Sequence, residues 1–287
     1  MEDVRKRLAA VLREGERTVE RRLEAFLANP DDPETIHRLR ISIRTLRSLL
    51  AFVSPFLKRR RHRLLQADLR SVVIETSRLR EYDVMLRDVR ALDVPSGALV
   101  EKIGELRDLE RDRVVGVMGG RHTRRALARV RRRVGSLPWR DSVRGHGVTR
   151  SDVLAVFDEL VRVVDEGYAT VDRSDADAVH TLRKRSKRVR YVGESFGSLL
   201  GDQAAAEGAR MKGVQDELGD VCDARVNAGM ARDLLDLGLS DEERGALEVL
   251  LGRNRALVEG FVAESASDAG GKGASPAASG KGPSAVN

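Results

Sequence analysis

The chain has 287 residues, a formal net charge of +7 and a single cysteine, Cys222. That length can bury one large core or two medium ones; a lone cysteine excludes an internal disulfide and a cysteine-cluster metal centre, and no run approaches the ~18 apolar residues of a membrane span. The positive balance points to an anionic partner, while aromatics at 3% argue against recognition by base stacking.

Helical periodicity runs through nearly every segment and no alternating strand pattern appears, so the fold class reads as all-α. Helices are predicted over about 3–28, 33–53, 56–92, 97–117 and 122–135, and then over about 150–172, 175–200, 203–236 and 241–265. The opening "MEDVRKRLAAVLREGERTVE" is charged and amphipathic, unlike a signal peptide, so the chain reads as cytoplasmic. "NPDDPE" (29–34) and "SPF" (54–56) are breaks with Pro near a helix start. "GSLPWRDSVRGHGVTRSD" (135–152) carries Gly, Pro and Ser and reads as the connection between two halves, 1–140 and 141–265. Residues 266–287 are Gly-, Ser- and Ala-rich, cannot bury a core, and are predicted to be disordered.

The segment "IHRLRISIRTLRSLLAF" (36–52) holds His37, Arg38, Arg40, Arg44 and Arg47 and no acid. At about 100° per residue, His37, Arg40, Arg44 and Arg47 share a sector ~80° wide. Leu39, Ile43, Leu46, Leu49, Leu50 and Val53 lie opposite. A solvated helix face usually alternates sign, because opposite charges at i, i+4 stabilise it; like charges there cost roughly 0.2–0.5 kcal/mol per pair. The same design recurs in "VHTLRKRSKRVRYVGESF" (179–196), where His180, Arg183, Lys187 and Arg190 keep the offsets 0, 3, 7 and 10. The two histidines are 143 residues apart, about half the chain, which reads as an internal duplication. Each basic helix is followed by an Asp-bearing segment, "SRLREYDVML" with Asp83 and "ELGDVCDARV" with Asp223.

These motifs, HxxRxxxRxxR with "LREYDV" and then HxxRxxxKxxR with "VQDELGDVCDA", resemble the CHAD domain, the conserved-histidine α-helical domain. "LRKRSKRVRYVGESF" followed by "MKGVQDELGDVCDARV" is similar to its C-terminal half, and the likeness covers roughly residues 3–265. The resemblance implies two four-helix bundles related by pseudo-twofold symmetry, with both basic helices facing a central positive cavity. It also implies binding of inorganic polyphosphate and association with polyphosphate granules in bacteria. The chain reads "REYD" where the family more usually has an Arg-Asp pair, so Glu81 adds an acid beside Arg80.

On this reading His37, Arg40, Arg44, Arg47, His180, Arg183, Lys187 and Arg190 form the polyphosphate-binding set. The guanidiniums would donate forked hydrogen bonds and Lys187 would act as a point charge. Arg80, Lys58, Lys212 and Arg225 form a second tier. The tracts "KRRRHR" (58–63) and "RHTRRALARVRRR" (121–133) either extend the anion track or are solvated surface. Asp83 and Asp223 orient neighbouring Arg side chains or act as caps; a metal site made with the two histidines is disfavoured, because the surrounding positive charge repels a cation. No Ser-His-Asp set, P-loop or Gly-rich strand–helix turn appears, so the expectation is binding without catalysis or cofactor. The rival reading is a basic helical nucleic-acid-binding protein. Oligomeric state is left open by the sequence.

Overall fold

The computed structural model describes residues 3–236 and 238–271. Among them it is all-α, with helices α1 (Val4–Ala28), α2 (Pro33–Phe52), α3 (Arg59–Ile74), α4 (Ser77–Arg90), α5 (Gly97–Met118) and α6 (Arg121–Gly135). These are followed by α7 (Asp141–His146), α8 (Arg150–Thr170), α9 (Ala176–Leu200), α10 (Asp202–Leu235) and α11 (Asp241–Gly271). A 3-10 turn covers Ser54–Phe56.

The helix starts follow from local chemistry. Asp32 caps α2 by accepting from Glu34 N at 2.9 Å, and Pro33 fills the first turn, where a missing N–H costs nothing. Asp175 caps α9 by accepting from Asp177 N and Ala178 N. Thr149 and Asp152 form a reciprocal capping box on α8. Gly201, at φ 101°, supplies the left-handed residue that separates α9 from α10 with no longer loop.

Two predicted spans are subdivided. The stretch read as one helix over 56–92 is broken at Glu75–Thr76 into α3 and α4, and the 135–152 connection contains the short helix α7. Leu57 and Trp139 form an isolated antiparallel bridge, with Lys58 N donating to Pro138 O at 2.8 Å and Arg140 N to Phe56 O at 2.9 Å. That bridge ties the connection back onto the start of α3. The last helix runs on to Gly271; of the tail predicted to be disordered, residues 272–287 lie outside the described residues.

The basic helices α2 and α9 each bury their apolar stripe. Leu39, Ile43, Leu46 and Leu50 of α2 and Val179, Val189 and Val192 of α9 are fully excluded from solvent and belong to one continuous core. Phe52 at the end of α2 packs on Phe157 of α8 and Phe196 of α9, at centroid distances of 6.5 and 5.4 Å. A second core joins Met85 and Val89 of α4 and Leu99 and Ile103 of α5 to Met230 and Leu234 of α10 and Leu247 and Leu250 of α11. Residues before and after the 135–152 connection therefore share both cores.

Close packing sets the relation of α9 to α10. A Cβ added to Gly193 would lie 2.4 Å from Ala204 O and 3.3 Å from the Cα of Gly208, so glycine is required there. The same helix pair brings Asp223 of α10 to Arg183 of α9.

Candidate functional site

Arg44 is the meeting point of the two basic helices. It projects from α2, is exposed to solvent, and yet is held below the ordinary arginine range, by burial first and also by the field of Arg183 from α9. On α9, His180 is depressed by burial and by Lys184, Arg183, Arg44 and Lys187 in turn. Lys187 is pushed down to about 7, chiefly by burial and then by Arg183 and Arg44. The structure thus brings Arg44, His180, Arg183 and Lys187 into one another's fields. Arg44, His180 and Lys187, each held down in part by neighbouring cations, are short of counter-charge, and an anion relieves that.

His37 lies nearby on α2, half-buried and depressed by burial, by Arg80 from α4, and by Arg44 and Arg40. Arg80 therefore belongs to the same field, where Asp83 and Asp223 partly offset the pull of burial on it. Arg190 also faces this field, since it depresses Lys187. Arg190 Nε lies 3.4 Å from Glu194 and its guanidinium lies 5.0 Å from the Tyr191 ring centroid.

Arg40 is placed differently from its neighbours. It is only 6% exposed, and its Nη1 donates to Val73 O at 3.2 Å, Thr76 Oγ1 at 2.6 Å and Ser77 Oγ at 3.3 Å. The guanidinium plugs the break between α3 and α4, satisfying a carbonyl and two hydroxyls that the interrupted helix leaves over. Burial draws Arg40 down to about 9, so it remains charged at neutral pH.

The two aspartates play separate parts. Asp223 accepts from Arg183 Nη2 at 3.4 Å, which orients a site arginine as the sequence suggested. Asp83 is buried and accepts from Arg107 Nε of α5 at 3.0 Å, while Arg107 Nη2 reaches Asp31 O at 2.9 Å. Asp83 is thus tied into the packing of α4 against α5.

Of the remaining second-tier residues, Arg225 acts on Cys222 together with Arg183 and Lys187. Lys58 pairs with Asp141 at 3.1 Å, beside the Leu57–Trp139 bridge. Lys212 is exposed on α10, and Arg225 Nη2 donates to Arg173 O at 3.0 Å. Arg38 pairs with Glu34 at 2.8 Å, so its counter-charge lies one turn back, outside the acid-free segment. On α6, Arg129 and Arg133 share Asp68, and Arg131 lies 3.8 Å from Glu20. Those parts of the two surface tracts are internally neutralised.

Sequence reasoning passed over Tyr191, buried beside Arg44, and the trio Gln66, Arg70 and Arg188 around Arg47. Gln66 gives no charge signal, and Arg188 lies outside the four-residue motif of α9. Two grooves, of about 330 and 420 Å³, lie elsewhere, and neither is lined by His37, Arg44, Arg183 or Lys187.

An all-α protein whose two histidine-led basic helices face a shared cationic cluster is the class that fold and site define. The CHAD domain family model matches residues 6–232, and the chain belongs to that family. The fold is similar to the crystal structure of the CHAD domain from the plant Ricinus communis, with TM-score 0.68 and 18% identity over 88% of this chain and 85% of that one. It is also similar to PptA from Streptomyces chartreusis, with TM-score 0.69 and 17% identity over 91% of this chain and 96% of that one. No curated protein sequence matches the chain. No helix among the described residues is long and apolar enough to cross a membrane.

Proposed function

We propose that the chain binds inorganic polyphosphate, without turning it over, at the cationic cluster between α2 and α9. Membership of the CHAD family supports a role linked to polyphosphate. One observation carries the reading: Arg44 of α2 and Lys187 of α9 are both held down by burial and by the charge of Arg183, and Asp223 is the carboxylate that partly offsets both. A linear polyanion with a negative charge on every unit neutralises all three at once, releasing its counterions as DNA does when basic proteins bind it.

Arg44 and Arg183 supply forked donors to the phosphoryl oxygens, and Lys187 supplies a point charge that regains its proton as the anion approaches. His37 and His180 donate ring N–H groups and do so more strongly once protonated. Arg40, committed through Nη1 to the α3–α4 break, adds field with a reduced share of direct contact. Binding of this kind suits a protein that associates with polyphosphate granules.

Titration of pure protein with polyphosphate and with duplex DNA, at one ionic strength, tests the reading. It expects tighter binding of polyphosphate, a raised melting temperature and a Kd that rises steeply with salt. Equal affinity for duplex DNA would move the assignment to nucleic acid. Phosphate released in the presence of Mg²⁺ would make the protein an enzyme.

A further inference from the structure

A second group of cations stands where α2 meets α3 and α9. Arg47 of α2 is depressed by burial and then by Arg70 of α3, Arg44 and Arg188 of α9, with no carboxylate among the groups acting on it. Arg188 is likewise held down by burial and by Arg185, and His62 by burial and by Arg188. The contrast with the first cluster is chemical: there Asp223 acts on the cations, and no acid is among the groups acting on Arg47, Arg188 or His62.

The arrangement is also braced. Gln66 accepts from Arg47 Nε at 3.1 Å and donates through Nε2 to Arg47 O at 2.8 Å, gripping both ends of the residue. With Nε engaged, the guanidinium plane is fixed and its two terminal nitrogens are left for a ligand; among the described residues neither has a hydrogen-bond partner. Arg188 Nε is shut off from water without a partner, so its remaining donors are also the terminal ones. A braced, unneutralised fork is costly to keep unless an anion uses it.

We propose that Arg47, Arg70 and Arg188 form a second anion subsite, which takes phosphoryl groups of a linear polyphosphate beyond those held at Arg44 and Lys187. The inference rests on the function proposed above and adds to it a reason for chain-length preference. Arg44 and Arg47 are one turn apart, about 4.5 Å along α2, so a single chain passes from one cluster to the other without a gap. A triphosphate satisfies the first cluster; a longer chain is needed to engage both.

The test is Arg70→Gln with Arg188→Gln in the full chain, measured beside Arg44→Ala with Lys187→Ala. Kd is read for tripolyphosphate and for long-chain polyphosphate at several salt concentrations, with circular dichroism as the check on folding. The expected result for the glutamine pair is a loss of roughly tenfold or more for the long chain, tripolyphosphate affinity within about twofold, and a salt slope flatter by between one and two. Gln66→Leu keeps every charge and releases Arg47, and it is expected to weaken only the long chain. If the glutamine pair binds the long chain normally while the alanine pair does not, the subsite is overturned and the first site stands. If wild type shows no preference for polyphosphate over duplex DNA, both are overturned.

Discussion

Arg183 of α9 meets Asp223 of α10 at 3.4 Å, a pairing that leaves its Nε buried without a hydrogen-bond partner. One carboxylate, itself half exposed, orients the guanidinium without discharging the cluster in which it stands. Ten residues further along α9, Gly193 lets the same two helices approach closely at Ala204 and Gly208. Packing and charge meet in this way along one helix pair.

Removing charge from that interface should separate function from folding. Arg44→Ala with Lys187→Ala is expected to lower polyphosphate affinity at least tenfold, while far-ultraviolet circular dichroism keeps its helical signature. Without ligand the variant should melt higher than wild type, because mutual repulsion is removed; screening limits the gain to about 1–2 kcal/mol. Calorimetric titration and thermal melts of the same samples check both halves, and a variant that binds normally places the site elsewhere.

Binding should also depend on pH through Lys187, whose amine is pushed down to about 7 in the free protein. A bound polyanion favours the ammonium form and lifts that value back toward the ordinary lysine range, so binding takes up a proton. The sign follows. Above pH 7 the proton must be acquired and affinity falls as pH rises, by at most about tenfold per unit for one group; below pH 7 the amine is already charged and this dependence flattens. Titrations from pH 6 to 9 in buffers of different ionisation enthalpy read the uptake directly, and Lys187→Met should lose the component above pH 7.

The two cationic stripes were legible in the sequence because each is opposed by an apolar stripe at helical period: Leu39, Ile43 and Leu46 on one, Val189 and Val192 on the other. The break at Thr76 was not. Residues 56–92 are helix-forming throughout, and what marks the interruption is Arg40, 36 residues earlier, donating to Thr76 Oγ1. Long-range contact decides that boundary, and local periodicity holds no record of it. The same limit hid the grip of Gln66 on Arg47, since an uncharged side chain on a neighbouring helix adds nothing to a charge pattern. Asp83 illustrates the converse: its position after the first basic helix matches that of Asp223, but its partner, Arg107, comes from a helix that the motif does not include.

That partner carries its own test. Arg107→Met removes the hydrogen-bonded partner of the buried Asp83 carboxylate and leaves it only the fields of Arg80 and Arg40, which should cost up to about 3 kcal/mol. Asp83→Asn keeps the shape, removes the buried charge and should cost less. Burial already pushes the Asp83 carboxyl upward, so in the Arg107 variant a fall in pH protonates it and recovers part of the loss. Chemical denaturation at pH 5 and pH 8 reads the difference; equal losses at both values would show that Arg107 acts through packing alone.

Gly193 supplies the strictest structural test. Its missing Cβ would stand 2.4 Å from Ala204 O, a backbone atom that cannot rotate away, so Gly193→Ala must push α9 and α10 apart. Overpacking of this kind costs about 1–3 kcal/mol. Because Asp223 rides on α10, the displacement should also loosen its hold on Arg183 and weaken polyphosphate binding, even though no ligand-facing charge is lost. Gly197, one turn along the same helix with nothing within 4 Å of an added Cβ, is the matched control: Gly197→Ala should leave binding unchanged and stability equal or slightly higher, since alanine is the better helix former. Denaturant midpoints and Kd measured side by side for the two variants decide the matter, and a Gly193→Ala protein that binds and melts like the control would show that close approach of α9 to α10 is not what arms the site.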